Sequence, residues 1–246
     1  MASIWTGCSK VQLQAQLLKK ETLISRLEFV RDNGEVVHMD GFISIYYLKD
    51  LVMYENPDFN EYSKVDLDKN GDFISDTFLK NDTSFRYFIH KYGDETGIQY
   101  DSLTAVKGKI FPLDSLLKIK AFKGMNFYDV KNERLVSKEK IVDTMVQRMI
   151  PRVKFDLSYP DSSYYYYRKS PTNLVYSFSK YLDSTSKNHK LFKVRIVYKP
   201  TFDKAFKIHV PRREFYFEIK EDTIRNRKLI LALFERFSKD VSPSNK

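Results

Sequence analysis

Asp66-Leu67-Asp68-Lys69-Asn70-Gly71-Asp72 places oxygen ligands at alternate positions before a glycine, the opening of a calcium-binding loop. The pattern breaks at its twelfth position. Thr77 stands there and cannot supply the bidentate carboxylate that gives such a loop its affinity. The preferred reading of the same residues is a second Asn-Gly turn with acidic flanks, matching Asp32-Asn33-Gly34 earlier in the chain. The four histidines, His38, His90, His189 and His209, stand at no metal-ligand spacing from one another, and Cys8 has no thiol or imidazole near it in sequence. No phosphate-cradling glycine loop, nucleophile elbow or zinc signature occurs, so the chain is expected not to be an enzyme, and no motif requires a cofactor.

Two other clusters have chemistry of a binding kind. Lys193, Arg195 and Lys199 alternate with Val194, Ile196 and Tyr198, which gives a strand one basic face and one apolar face. Arg212 and Arg213 add charge nearby. Basic grooves lined by aromatic rings hold single-stranded nucleic acid without sequence preference. A solvated sheet face over a core produces the same alternation. The run Tyr164-Tyr165-Tyr166-Tyr167, followed by Arg168 and Lys169, puts two phenols on each face of a strand. Tyrosine combines large contact area with a polar tip and suits an interface; a plain edge strand is the alternative.

These residues need elements to hold them. Leu23 to Leu48 reads as two β-runs hinged on Asn33-Gly34, the dipeptide preferred by a type I′ hairpin turn. Short branched and aromatic runs at 85–89, 115–122, 152–157, 174–178, 191–198, 206–210 and 214–219 alternate with turn-forming residues. Helices are expected at 10–20, at 49–55 ending on Asn56-Pro57, at 137–149, and at about 222–238 with Asp222 or Thr223 as cap. The fold class expected is mainly β with flanking helices, a β-sandwich or jelly roll with a projecting N-terminal helix. Residues 1–22 form the arm and 23–246 a single domain.

Composition agrees with a globular chain: 246 residues, 42% hydrophobic, 30% charged, only 8 glycines and 8 prolines. Lys and Arg number 42 against 32 acids, a formal charge of +10, which favours acidic partners. One cysteine excludes an internal disulfide, and no apolar run is long enough to span a membrane. The start, MASIWTGCSK, lacks the pattern of a secretory signal, so a protein working inside a cell is expected.

The order of helical arm, hairpin, helix and acid-rich turn resembles the polyhedrins of cypoviruses, the cytoplasmic polyhedrosis viruses of insects. The residues that carry the likeness are the 10–20 segment, Glu28 to Tyr47, Lys49 to Tyr54 and Lys69-Asn70-Gly71. Lys118 to Gly124, Val175 to Phe178 and Thr223 to Phe237 add to it. The resemblance implies a structural protein whose trimers pack into a crystalline occlusion body in the host cytoplasm, embed virions and dissolve in alkali. In that reading Leu13, Leu17 and Leu18 clamp neighbouring subunits, and Tyr164 to Tyr167 with Lys169 form the alkali-sensitive contact. A bound nucleotide is compatible with it. Neutralising the 29 lysines and ionising the 17 tyrosines would carry the chain from +10 to about −36. The alternative function is a viral coat or movement protein that binds single-stranded nucleic acid through Lys193, Arg195, Lys199, Arg212 and Arg213.

Overall fold

A computed structural model describes residues 18–31, 33–119, 133–153, 160–169, 173–186, 188–205 and 207–241. The described chain is mainly β, and it divides into two compact units. Leu13, Leu17, Cys8 and the expected strand residues 120–122 and 154–157 lie outside the described residues.

One unit comprises Tyr46–Asp114 with Arg225–Lys246, together with the chain up to Leu18. It holds β3 (Leu51–Leu67), β4 (Phe73–Lys91), β5 (Thr96–Tyr100) and β6 (Lys109–Pro112), antiparallel in the order β6-β5-β4-β3. Met53, Phe88, Ile89 and Tyr100 are fully buried there. The C-terminal helix, α3 (Arg227–Val241; α1 and α2 are given below), buries Ile230, Leu233, Phe234 and Phe237, an i, i+3, i+4, i+7 stripe. The Tyr100 hydroxyl donates to Asp240 at 2.7 Å, and Arg236 donates to the Ala105 carbonyl, so the helix is also fixed by polar contacts.

The other unit, Lys19–Ile45 and Ser115–Ile224, has the strand order β2-β1-β13-β10-β9-β8-β7. The strands are β1 (Lys19–Val30), β2 (Val36–Leu48, whose last three residues belong to the first unit), β7 (Glu133–Ile141), β8 (Thr144–Pro151), β9 (Ser162–Lys169), β10 (His189–Tyr198) and β13 (Arg213–Glu221). A separate two-stranded ribbon pairs β11 (Thr201–Asp203) with β12 (Ile208–Val210). Short helices α1 (Leu113–Ile119) and α2 (Lys180–Thr185) complete the description. Among the described residues the main strands of each unit lie in a single layer, with β13 between β1 and β10, and no jelly-roll arrangement is seen within either unit. Short connections favour pairing with the sequence neighbour.

The hairpin β1–β2 stands where the Asn-Gly dipeptide placed it, with a different turn. A type I′ turn requires positive φ at both central residues, and here Gly34 has φ +84 while Asn33 does not. Gly34 N–H donates to Arg31 O at 2.8 Å, and Arg31 N–H donates to Glu35 O at 2.9 Å. Asp68 to Asp72 repeats this geometry: Gly71 has φ +87, and the Asp68 carboxylate accepts from the N–H groups of Asn70 and Asp72 at 2.7 and 2.8 Å. The calcium-like segment is therefore the turn of the β3–β4 hairpin, with its central carboxylate already bonded to backbone.

Several expected elements change type. Residues 49–55 are a tight turn, with Lys49 at φ +56, and the start of β3. Residues 137–149 form β7 and β8, joined at Val142-Asp143. Ile141, Thr144 and Val146 are β-branched, and pairing with β9 decides in favour of strand. Leu113–Ile119 is helical where a strand from 115 was expected, Arg152–Val153 is a bend, and 174–178 is irregular chain. Lys19 and Lys20 are strand residues and not the end of a helix, and Leu18 just before them is 4% exposed. Leu18 is therefore packed inward and is not available as a clamp on a neighbour. The C-terminal helix starts at Arg227, about five residues after the expected 222. Asp222 is an anchor and not its cap, accepting from Lys20 at 2.9 Å, Thr22 Oγ1 at 2.8 Å and Thr223 N–H. The Lys20 hydrogen bond, foremost among these, holds its carboxyl down at about 2.

Candidate functional site: a tyrosine and cation face, and an exposed apolar ribbon

In the second unit, register places the two sequence-predicted clusters side by side. Arg195 on β10 lies opposite Tyr164 on β9 and Tyr216 on β13; Lys193 lies opposite Tyr166 and Glu218. Arg148 on β8 lies on the far side of Tyr164. The guanidiniums of Arg195 and Arg148 stand 4.4 and 5.9 Å from the centre of the Tyr164 ring. The Lys193 ammonium stands 4.7 Å from Tyr166 and 4.9 Å from Tyr216. Each contact places a cation near an aromatic ring, an interaction worth ~0.5–1 kcal/mol at exposed sites and more when partly desolvated. Carboxylates border the group: Glu214 is 4.0 Å from Arg195 and also paired with Arg212, and Glu218 accepts from the Tyr216 hydroxyl.

Not every predicted residue joins this face. Tyr165 and Tyr167 point to the opposite side and are fully buried, so two of the four phenols are core. The Tyr165 hydroxyl donates to Glu133 at 3.2 Å. Because β9 is paired on both sides, by β8 and β10, the tyrosine run is not an edge strand. Arg213 is on the other side of β13, 4.9 Å from the Tyr198 ring. Lys199 follows the end of β10 and pairs with Asp161 at 3.2 Å, and Arg212 is held by Glu214. Lys169 is exposed at the end of β9. Of the basic candidates only Lys193 and Arg195 share the face of Tyr164, Tyr166 and Tyr216. Sequence reasoning missed Arg148, because it lay in an expected helix, and Tyr216. The alternation Glu214, Tyr216, Glu218 signalled the latter.

Burial raises the Tyr166 phenol above its usual range, with Arg195 opposing, and raises Tyr216 further with help from its bond to Glu218. Phenols that hold their protons beside permanently charged guanidiniums are suited to grip a partner by stacking and hydrogen bonding, not to exchange protons at neutral pH. His90 is likewise structural: its ring stacks on Tyr54 with centroids 5.9 Å apart, its Nδ1 is 2.8 Å from Lys91 O, and burial lowers its pKa. Among the described residues no group of three His, Cys, Asp or Glu is placed to hold a metal ion. None of the described helices is long and apolar enough to cross a membrane.

In the first unit the β3–β4 hairpin is much longer than its partner strand on one side. β5 pairs with β4 at Tyr87 to Ile89, so among the described residues no strand pairs with Phe73 to Arg86 on the side away from β3. From Phe59 to Ser84 nearly every described side chain is exposed or half-exposed. The register opposes Ser63 to Phe78, Val65 to Asp76 and Leu67 to Phe73 on one side. The opposite side carries Asn60, Tyr62, Lys64 and Asp66 facing Asp82, Lys80, Thr77 and Ser75. The ribbon is thus amphipathic, and its apolar row of Val65, Leu67, Phe73 and Phe78 is 51–66% exposed. Register shifts leave Ile74 and Leu79 as extra residues, bulges that interrupt the β4 edge.

No known protein family and no curated protein matches the chain. Among solved structures it is similar to a LolA superfamily protein from Nitrosomonas europaea, at 9% identity over 91% of this chain and 95% of that one, with a TM-score of 0.24. It is also similar to a putative outer membrane lipoprotein-sorting protein domain from Vibrio parahaemolyticus, at 12% identity over 92% and 97% of the two chains, with a TM-score of 0.26. At those scores neither likeness establishes a shared fold.

Proposed function

We propose that this chain is a structural protein that works by self-association, with the β3–β4 ribbon as its cohesive element. The observation that carries the reading is the exposed row Val65, Leu67, Phe73 and Phe78 on one side of a long hairpin. A two-stranded ribbon is marginal in water by itself, and exposed aromatic rings gain ~25 cal/mol for each Å2 of apolar surface they bury. A partner surface supplies that burial. Charge favours a second copy as the partner. Residues 57–85 carry seven acids against three lysines, a charge of −4, while the whole chain is +10, which leaves +14 on the remainder. An acidic apolar ribbon is attracted to other copies of a basic chain and repelled by anionic lipid or nucleic acid. The finer reading, a crystalline occlusion body of a virus, rests on the sequence resemblance to cypovirus polyhedrins. Microscopy of expressing cells tests it: refractile bodies support it, and their absence at high expression counts against it.

Sedimentation of the purified full chain across a hundredfold concentration range tests the association itself. The parent is expected to gain mass with concentration. A triple variant, Leu67→Ser/Phe73→Ser/Phe78→Ser, is expected to remain monomeric with its unfolding free energy changed by less than about 1.5 kcal/mol, at about 0.5 kcal/mol for each surface site. A parent that stays monomeric throughout would refute self-association. If that monomer instead floats with zwitterionic vesicles and the triple variant does not, the ribbon faces lipid and the assembly reading is wrong.

A further inference from the structure

We infer that the ribbon of one copy docks on the tyrosine and cation face of the next, so that association is head-to-tail. This rests on the proposed self-association and names the surface that receives the ribbon. Two ribbons packed symmetrically would bring −4 against −4. A symmetric contact therefore concentrates like charge. The face of Arg148, Lys193 and Arg195 offers the opposite sign together with apolar area from three tyrosine rings. Tyrosine and arginine are the residue types that dominate well-packed contacts, and both arginines here already stand near the Tyr164 ring, with part of their ordering cost met before docking. Glu214, 4.0 Å from Arg195, is shared with Arg212, so the guanidinium retains donor capacity for ribbon aspartates.

The contact uses different patches on the two copies, and such a contact does not close on itself unless the rotation happens to form a ring. It propagates into filaments or layers, which is the behaviour a matrix protein needs. Bulges at Ile74 and Leu79 disfavour continuous strand addition along the β4 edge, so docking engages the ribbon's apolar side.

Complementation between two defective full-length chains tests this. One carries the ribbon changes Leu67→Ser/Phe73→Ser/Phe78→Ser, and the other carries Lys193→Glu/Arg195→Glu on the face. Each alone is expected to lose at least tenfold in association constant. Mixed, they retain one good ribbon and one good face, and should form a 1:1 dimer that grows no further. Reversal on the ribbon, Asp72→Lys/Asp76→Lys, the second position paired with Val65 on the docking side, should restore growth to the face variant. Association of the face variant at parental strength, with the ribbon variant still monomeric, would overturn the head-to-tail contact and leave the ribbon reading intact. Association of the ribbon variant at parental strength would overturn both. Circular dichroism confirms that the charge-reversed sheet is folded, and the milder Lys193→Gln/Arg195→Gln gives the same comparison should it not be.

Discussion

Raising the pH above 10 is expected to unfold the protein cooperatively, not to release intact subunits. Burial, foremost, pushes the Tyr54 phenol up to about 12 and pushes Tyr87, Tyr100 and Tyr165 higher still, with added contributions from Glu55, Asp240 and Glu133 respectively. In the unfolded chain these phenols ionise near 10. Below pH 10 both states hold the protons and stability does not change. Between 10 and the folded values, the folded state binds more protons than the unfolded one, so stability falls as pH rises. Each such tyrosine removes at most about 1.4 kcal/mol per pH unit in that window. Together the four remove on the order of 5 kcal/mol by pH 11, within the range of a typical folding free energy. Phenolate absorbance near 295 nm and far-ultraviolet dichroism are expected to change together in one steep step. Gradual ionisation near pH 10 with the dichroism unchanged would show that the phenols titrate in the folded state. The expectation that Tyr164 to Tyr167 act as a titrating contact is altered by the same geometry, since Tyr165 and Tyr167 are core and Tyr166 holds its proton more strongly than a free phenol.

Features set by neighbours in sequence were the legible ones. Both Asn-Gly turns sit where the dipeptides stand, because only glycine accepts φ near +85 there without strain. The stripe Leu233, Phe234 and Phe237 specifies a helix and its buried side. Alternation along β10 correctly separated Lys193 and Arg195 from Val194 and Ile196. Lys49–Glu55 and Ser137–Met149 contain enough helix-forming residues to read either way, and strand pairing with β4 and β9 settles them. Cross-strand register was not legible at all. Nothing within one strand announces that Arg148, Tyr164 and Arg195 stand abreast, and the face exists only through that alignment. The apolar row of the ribbon was hidden for a related reason: the bulges at Ile74 and Leu79 shift the alternation of β4 out of phase with β3.

Replacing Glu21 by alanine is expected to destabilise the protein by about 2–4 kcal/mol, the largest effect expected of a single polar substitution. Glu21 is 1% exposed on β1, and its carboxylate accepts from the backbone N–H of Val175 and from that of Tyr176 at 2.9 Å. Its cross-strand neighbour Glu221 accepts from Asn173 Nδ2 at 3.4 Å. Carboxylates on paired strands thus hold the irregular segment 173–176, which explains why Leu174 to Phe178 is not the strand its composition suggests. Its N–H groups are committed to side chains about 150 residues away in sequence. Two like charges opposite one another are unfavourable by themselves, and the donors of this segment offset that repulsion. Alanine leaves two backbone donors without an acceptor at about 1–3 kcal/mol each, partly offset because a buried carboxylate no longer has to be desolvated. Glutamine keeps one acceptor and aims an N–H2 group at the second donor, so Glu21→Gln should cost roughly half as much. Urea midpoints give the energies, and amide exchange gives the location. Protection should be lost first at Val175 and Tyr176, with Phe217 and Ile219 on β13 retaining theirs. Exchange that accelerates uniformly across the unit would instead make Glu21 a part of the sheet's general packing and not the clip that holds this segment.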